Sequence, residues 1–161
     1  MVEMCTFGSV KSFCSYWNHM PKPSAIFGAQ KNGTKRIEAI CCFKEGVKPM
    51  WEDAANVKGG EWQCKRGIDF RDLDELWGNL VMGMVGETID QGDEITGARL
   101  VDKSRGRNAV YRLEVWYRDV EKQVEAEAIR VNLEKTLIIG GQYAEAHSFG
   151  FEAVSHVDKR W

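Results

Sequence analysis

The sequence predicts an α+β fold in a single domain that spans residues 1–161. Two observations support this class: apolar residues recur at helical spacing in three stretches, and β-rich stretches lie between them. The chain has 161 residues, of which 43% are hydrophobic. A chain of this size buries roughly two-thirds of the surface that its unfolded form exposes, so we expect a stable core without a disulfide or a metal.

The clearest predicted helix lies between Asp72 and Gly86. Its apolar residues share one helical face. They are Leu73, Leu76, Trp77, Leu80, Val81, Met84 and Val85. Asp72 is expected to cap the N-terminus while Glu75 reaches back, and Gly86 is typical of a helix end.

Two further helices are predicted on either side of this one. The first follows Ser9, and Pro21 and Pro23 end it. Its apolar side comprises Val10, Phe13, Cys14 and Trp17. The other covers residues 120–133. Its predicted inward residues are Val120, Val124, Ala128 and Val131. The acidic residues of this stretch are expected to form its solvated side.

Five β-rich segments lie among the helices, at residues 36–43, 61–65, 94–103, 110–118 and 136–140. Side chains of a strand alternate between the two faces of its sheet. In 110–118 one face therefore carries Tyr111, Leu113, Val115 and Tyr117, and the other carries Arg112, Glu114 and Trp116. We expect the first face to be core and the second to carry the chemistry.

The charge distribution favours a ligand with a few phosphates over a long polyanion. The formal net charge of the chain is −2, which argues against a protein that coats nucleic acid. Residues 99–118 nevertheless contain six basic and two acidic side chains, a local net charge of +4. Residues 119–134 contain five acidic and two basic side chains, a net charge of −3. A confined basic patch on a nearly neutral protein suits a few phosphates.

Several classes of protein are disfavoured by the sequence. The five cysteines show no zinc-ligand spacing, so we expect reduced thiols, a reducing compartment and no metal or cofactor. The apolar runs are too short for a membrane span, and we expect no signal peptide. His19, His147 and His156 are scattered, and no nucleophile signature accompanies them. The chain is therefore expected to be a binding protein without catalytic residues, not an enzyme.

The loop at residues 43–53 is the most informative motif. It places Trp51 directly before Glu52 in a loop that also contains Gly46 and Pro49. An indole is more often a core element than a ligand platform, but a loop bounded by proline is a poor place to bury one. The alternative role of Glu52 is to accept hydrogen bonds from the backbone of its own loop.

This loop resembles the cap-binding loop of the translation initiation factor 4E family. The resemblance continues in the same order along nearly the whole chain. Its other pieces are Thr6 to Val10, Trp17 to His19, Asn56, Gly59-Gly60, Trp62, Leu73 to Trp77, Val85 to Glu87 and Gly97-Ala98. The family's fold is a curved antiparallel β-sheet with three α-helices on its convex face and a slot for the messenger-RNA cap on its concave face.

The resemblance implies a role for each residue of the slot. Trp51 matches the residue that stacks on 7-methylguanine, Glu52 the carboxylate that accepts the guanine edge, and Trp116 the tryptophan that contacts the methyl group. Lys103 and Arg112 match phosphate-binding residues. Either Arg105 or Arg107 would supply a further phosphate contact, and we favour Arg105. The alternative for this basic loop is a solvated hairpin tip.

Two departures from the family are expected to matter. A second stacking tryptophan normally precedes the segment matching Thr6 to Val10, so either the N-terminus is shortened or another side chain completes the sandwich. On the helical surface the family binds peptides of the scaffold factor 4G or of 4E-binding repressors. The matching positions here are Val10, Cys14, Gly78 and Asn79. Cys14 replaces a tryptophan, which predicts weak or altered partner choice.

The sequence thus predicts a cytoplasmic protein that binds the 7-methylguanosine cap of mRNA in translation initiation or its regulation. The alternative is a cap-independent interaction or repressor module of the same fold. Residues 22–39 form an insertion whose role the sequence does not assign.

Overall fold

The computed structural model describes residues 2–28, 37–105, 108–137 and 149–159. Its helices are α1 (Val10–Trp17), α2 (Pro23–Gly28), α3 (Leu73–Val85) and α4 (Gln123–Thr136). Its strands are β1 (Ala39–Phe43), β2 (Gly60–Arg66), β3 (Ile95–Asp102), β4 (Tyr111–Tyr117) and β5 (Glu152–Ser155), followed by a 3₁₀ turn at Val157–Lys159. The five strands form one antiparallel sheet in the order β1-β3-β4-β2-β5.

The sheet has one face covered by helices and one open face, which confirms the predicted α+β class. Leu113 and Val115 of β4 are buried in the same core cluster as Leu76 and Leu80 of α3 and Leu133 of α4. We call the side of the molecule that carries the helices the helical side. Arg112, Glu114 and Trp116 alternate with the core residues and therefore lie on the open face, as predicted.

α1 and α3 lie where the sequence predicts them. Ser9 and Ser12 form a capping box at the start of α1. At the start of α3 the predicted cap is wrong: Asp72 occupies the N-cap position, but its side chain makes no capping hydrogen bond. Its backbone adopts the helical αR conformation, whereas a side chain that caps normally starts from an extended residue. Gly86 ends α3 as predicted.

The structure adds a short helix, α2, to the three predicted ones. α2 lies in the segment whose role the sequence left open. Both carboxylate oxygens of Asp74 in α3 accept hydrogen bonds from Ser24, one from its backbone N–H at 2.8 Å and one from its hydroxyl at 2.6 Å. Phe27 is buried in the core. α2 is therefore fastened to α3 by hydrogen bonds and by an apolar anchor.

The predicted inward side of α4 is wrong. The buried residues of this helix are Ala126, Ile129 and Leu133, whereas Val124 is 81% exposed and Val131 is 36% exposed. Ala128 is exposed, and of the four predicted residues only Val120, which precedes the helix, packs against the core. Both sides of the helix carry apolar residues at helical spacing. The side with isoleucine and leucine removes more apolar area from water than the side with valine and alanine, so it faces the core.

The strand predictions fail only near the C-terminus. Thr136 belongs to α4 and Leu137 is its buried C-cap, while residues 138–140 of the predicted last strand lie outside the described residues. β5 was not predicted, because its residues Glu152 to Ser155 include glutamate and alanine, which are depleted in strands. Among the described residues, no helix combines the length and the apolar character that a membrane span requires.

Candidate ligand-binding slot

A cavity of about 520 Å³ opens on the open face of the sheet, between β4, β2 and the loop that follows β1. We call it the slot. Its lining residues are Pro49, Met50, Trp51, Glu52, Glu61, Gln63, Arg99, Arg112, Glu114, Trp116 and Val154. Four of the six residues predicted to bind the ligand therefore lie together around one cavity: Trp51, Glu52, Arg112 and Trp116.

The loop that carries Trp51 is held from within by two polar side chains. The Asp53 carboxylate accepts hydrogen bonds from the backbone N–H groups of Lys48 at 3.1 Å and Ala55 at 3.0 Å. These hydrogen bonds, led by that of Ala55, lower the pKa of Asp53. The Asn56 side-chain amide donates to the carbonyl groups of Lys48 and Met50, both at 2.9 Å. The backbone on both sides of Trp51 is thus fixed before any ligand arrives.

Trp51 and Glu52 are both accessible at the mouth of the slot. Trp51 is half-buried, and Glu52 is exposed. The loop therefore offers an aromatic face and a carboxylate from adjacent residues, which can stack on a planar ring and accept hydrogen bonds from its edge.

Trp116 forms a wall of the slot and is only 2% exposed. Its indole ring lies between Phe43, at a centroid distance of 5.4 Å, and His156, at 4.5 Å. Gly97 of β3 leaves room for Phe43, since a Cβ at Gly97 would lie 2.3 Å from the phenyl ring. Trp116 is therefore supported on two sides and presents little of its surface to a ligand.

The floor of the slot contains a buried carboxylate between two guanidinium groups. Glu114 is 1% exposed and accepts a hydrogen bond from the Trp116 indole N–H at 3.1 Å. Its carboxylate also ion-pairs with Arg112 at 2.6 Å and with Arg99 at 3.6 Å. The Arg99 guanidinium lies 5.7 Å from the centre of the Trp116 ring. Two positive charges and one negative charge thus face this part of the slot.

The slot also contains Arg99 and Glu61, for which the sequence predicts no role, and Glu114, which the sequence predicts only as part of one strand face. Glu114 shares a strand face with Arg112 and Trp116, so the alternation of β4 carried a signal for it. Arg99 stands opposite Glu114 in the β3–β4 register, which the sequence does not give. Glu61 pairs with His156, 95 residues away, through Nε2 of the imidazole at 3.2 Å.

Lys103 and Arg105 do not line the slot. Lys103 follows β3 and is exposed, and its backbone N–H donates to the carbonyl group of Val110 at 2.9 Å. Arg105 is exposed and forms a bridge with Asn108. Both residues belong to the connection between β3 and β4, and Arg107 lies outside the described residues.

The predicted partner-binding residues lie on the helical side. Val10 is 71% exposed and Cys14 is exposed, both on α1. Gly78 and Asn79 on α3 are partly buried. A Cβ at Gly78 would lie 3.9 Å from the Trp17 indole, so α1 and α3 are in contact here. These positions are on separate elements from the residues that line the slot.

Comparison with known proteins identifies the family. The model of the eukaryotic initiation factor 4E family matches residues 1–159. Eukaryotic translation initiation factor 4E1 of Drosophila melanogaster is 34% identical over 139 residues, which cover 86% of this chain and 49% of that protein. Translation initiation factor 4E-3 of Arabidopsis thaliana is 32% identical over 89% of this chain and 50% of its own length. The chain thus spans about half the length of these relatives.

Solved structures support the same assignment. A complex of C. elegans eIF4E-3 with the 4E-binding protein Mextli and cap analog superimposes with a TM-score of 0.74 and 28% identity, covering 98% of this chain and 80% of that chain. A second complex of the same protein with Mextli gives a TM-score of 0.75 and 27% identity, covering 98% and 82%. The order of helices and strands, the slot with its Trp51-Glu52 pair and these matches together show that the chain belongs to the eukaryotic initiation factor 4E family.

Proposed function

We propose that this chain binds the 7-methylguanosine cap of mRNA in the slot and acts in translation initiation or its regulation. The observation that supports this most directly is the placement of Trp51 and Glu52 at the mouth of the same cavity as Arg112 and Trp116. A C. elegans relative of the same fold was solved with a cap analog.

The chemistry of the cap matches these side chains. Methylation at N7 gives guanine a positive charge, which an indole face attracts by about 1–2 kcal/mol beyond ordinary stacking once water is excluded. The N1 and N2 hydrogens of guanine form a donor pair that a carboxylate accepts in a bidentate, charge-assisted manner. Trp51 would stack on the base, and Glu52 would accept its edge.

The phosphates would be held by basic residues in the slot and on the β3–β4 connection. Arg112 and Arg99 lie within it, and Lys103 and Arg105 lie exposed on the β3–β4 connection. Glu114 compensates part of the charge of the two arginines. We therefore expect affinity to depend more on the base and less on the phosphates, and to fall only modestly with salt.

Stacking would rest mainly on Trp51, because Trp116 is only 2% exposed and packs against Phe43 and His156. Compared with a base held between two indoles, stacking on one indole weakens binding by about 1–3 kcal/mol. We expect this chain to bind the cap more weakly than a protein with both tryptophans.

Protein partners would bind to the helical side at α1 and α3. The C. elegans relative was solved with a 4E-binding protein. A scaffold factor 4G-like or 4E-binding protein is therefore the expected class of partner, together with capped mRNA. Cys14 and Gly78 offer smaller side chains than an aromatic anchor would, which favours a different or weaker set of partners. We propose that the chain is a cytoplasmic binding protein and not an enzyme.

The alternative function keeps the fold and the partner surface but not the cap. The exposed Val10 and Cys14 on α1 favour it, because they leave the helical side open to a partner whether or not the slot is filled. A pull-down with wild type and Cys14→Trp tests this surface. Unchanged sets of partners would rule out a role for position 14 in partner choice.

A fluorescence titration with 7-methyl-GTP and unmethylated GTP tests cap binding. The wild type, Trp51→Ala, Glu52→Ala and the control Glu45→Ala would be compared at one salt concentration. Glu45 is an exposed carboxylate of the same loop that does not line the slot. We expect quenching that prefers the methylated ligand, is lost in the first two variants and is kept in the control. Equal quenching by both nucleotides would leave the interaction module as the function.

A further inference from the structure

We infer that the solvent-facing side of α4 is a docking surface for a basic amphipathic helix of a partner protein. Val124, Ala128 and Val131 recur at offsets of 4 and 7 residues, so they form one stripe along the helix. Val124 is 81% and Val131 is 36% exposed, and Ala128 is exposed. We call these three residues the α4 stripe.

The stripe has the spacing of a surface that packs against another helix. The opposite side of α4 already supplies the core contacts, through Ile129 and Leu133. No core role therefore accounts for a second apolar side, and none of its three residues lines the slot. Among the described residues, α3 and the core contact other sides of α4, while the stripe itself stays exposed and open to a further helix.

Carboxylates border the stripe and favour a partner with positive charge. Glu125 and Glu127 flank Val124 and Ala128 on opposite edges, and Glu121 precedes the first turn. Glu127 ion-pairs with Arg130 at 2.5 Å, and Lys122 ion-pairs with Glu94, the residue before β3. Within the described part of the chain, Glu121 and Glu125 form no ion pair. The partner should therefore carry lysine or arginine beside its apolar residues.

The same charges exclude the other occupants of such a surface. Nucleic acid and anionic membranes are repelled by the carboxylates at the edges of the stripe. A second copy of this chain is disfavoured, because its own stripe is bordered by the same carboxylates. Lys135, exposed at the C-terminal end of the stripe, places the acidic part of the surface in the N-terminal half of α4. The basic residues of the partner would be concentrated opposite that half.

Fluorescence anisotropy with a designed peptide tests this surface. The probe is a fluorescein-labelled helical peptide of about four turns, with leucine at helical spacing and lysine on both flanks. The proteins are the wild type, Val124→Ser/Val131→Ser, Glu121→Gln/Glu125→Gln and the control Val10→Ser. Val10 is an exposed valine on α1, so the control separates the α4 stripe from the surface at α1 and α3. Circular dichroism would verify that each variant is folded.

We expect the wild type and Val10→Ser to bind the basic peptide equally. The double valine variant should bind about tenfold more weakly, because it loses two apolar contacts. The double glutamate variant should also bind more weakly and should depend less on salt. The same peptide with glutamate in place of lysine should not bind. The inference is overturned if the wild type shows no saturable binding, if both peptides bind alike, or if only Val10→Ser weakens binding.

Discussion

His156 and Glu61 form a buried hydrogen-bonded pair at the slot. Nδ1 of the imidazole lies 2.9 Å from the carbonyl oxygen of Asn56, which only accepts, so Nδ1 carries a hydrogen. Nε2 lies 3.2 Å from the Glu61 carboxylate, and a hydrogen is also needed there. His156 is 0% and Glu61 is 3% exposed.

The first prediction contrasts two substitutions of Glu61. In Glu61→Gln the side-chain amide can donate to a neutral Nε2, so stability to urea should stay within about 1 kcal/mol of the wild type. Glu61→Ala leaves Nε2 buried without a partner and should lower the free energy of unfolding by about 1–3 kcal/mol. Equal losses in the two variants would show that the hydrogen bond contributes nothing.

The second prediction concerns the loop that carries Trp51. Asp53→Ala removes the acceptor of two backbone N–H groups and should weaken binding of 7-methyl-GTP several-fold, because Trp51 loses its fixed position. The unfolding midpoint should change little, since Asp53 lies outside the core. Titration of the ligand against both proteins measures the effect. If affinity is unchanged, the loop does not need this carboxylate.

The pH dependence of the same loop follows from the lowered pKa of Asp53. A carboxylate with a lowered pKa stabilises the folded loop above its unfolded pKa of about 4, and this contribution is lost as the pH falls through the folded value. The loop should thus keep its hydrogen bonds across the neutral range. Between pH 7 and 5, Asp53→Ala and the wild type should show parallel binding curves. Curves that diverge in this window would contradict the assignment.

The third prediction compares two neighbouring aspartates of α3. Asp74→Ala removes both hydrogen bonds that Ser24 donates, so it should loosen the start of α2 and lower the free energy of unfolding by about 1–3 kcal/mol, although Phe27 still anchors the helix. Asp72→Ala is the matched control, because Asp72 makes no capping hydrogen bond and should change stability by less than about 0.5 kcal/mol. Urea titration measures both. A larger loss in Asp72→Ala would reverse the assignment.

The fourth prediction concerns thiol reactivity. Burial raises the pKa of Cys42 to about 11, with a smaller contribution from neighbouring thiols, whereas Cys14 is exposed on α1. Only the thiolate reacts with iodoacetamide. At pH 8 the thiolate fraction of Cys42 should be on the order of a hundredfold below that of an unperturbed thiol. Mass spectrometry of modified peptides should find Cys14 labelled first. Urea should abolish the difference, and equal rates in the native protein would contradict it.

Local patterns were enough to predict much of the fold. Ser9 and the apolar spacing defined α1, and the period of two in residues 110–118 separated Leu113 from Trp116 correctly. α4 was assigned the wrong inward side because valine and alanine repeat on one side while isoleucine and leucine repeat on the other. Spacing alone does not decide between two apolar sides; the area that each removes from water does.

The slot was predictable where its residues are adjacent in sequence or on one strand. Trp51 and Glu52 are neighbours, and Arg112 and Trp116 share a face of β4. The partners of Trp116 could not be predicted in this way. Phe43 ends β1 and His156 follows β5, so both are distant from Trp116 in sequence. Only the strand order β1-β3-β4-β2-β5 brings the three rings together.

The position of His156 has a consequence for the order of events during synthesis. The loop of Trp51 and the strand of Trp116 leave the ribosome well before residue 156, which both supports the Trp116 ring and donates to the carbonyl of Asn56. Until that residue is available, the wall of the slot and the base of its loop lack their shared support. A nascent chain therefore completes the slot late, after nearly all of the described residues have been made.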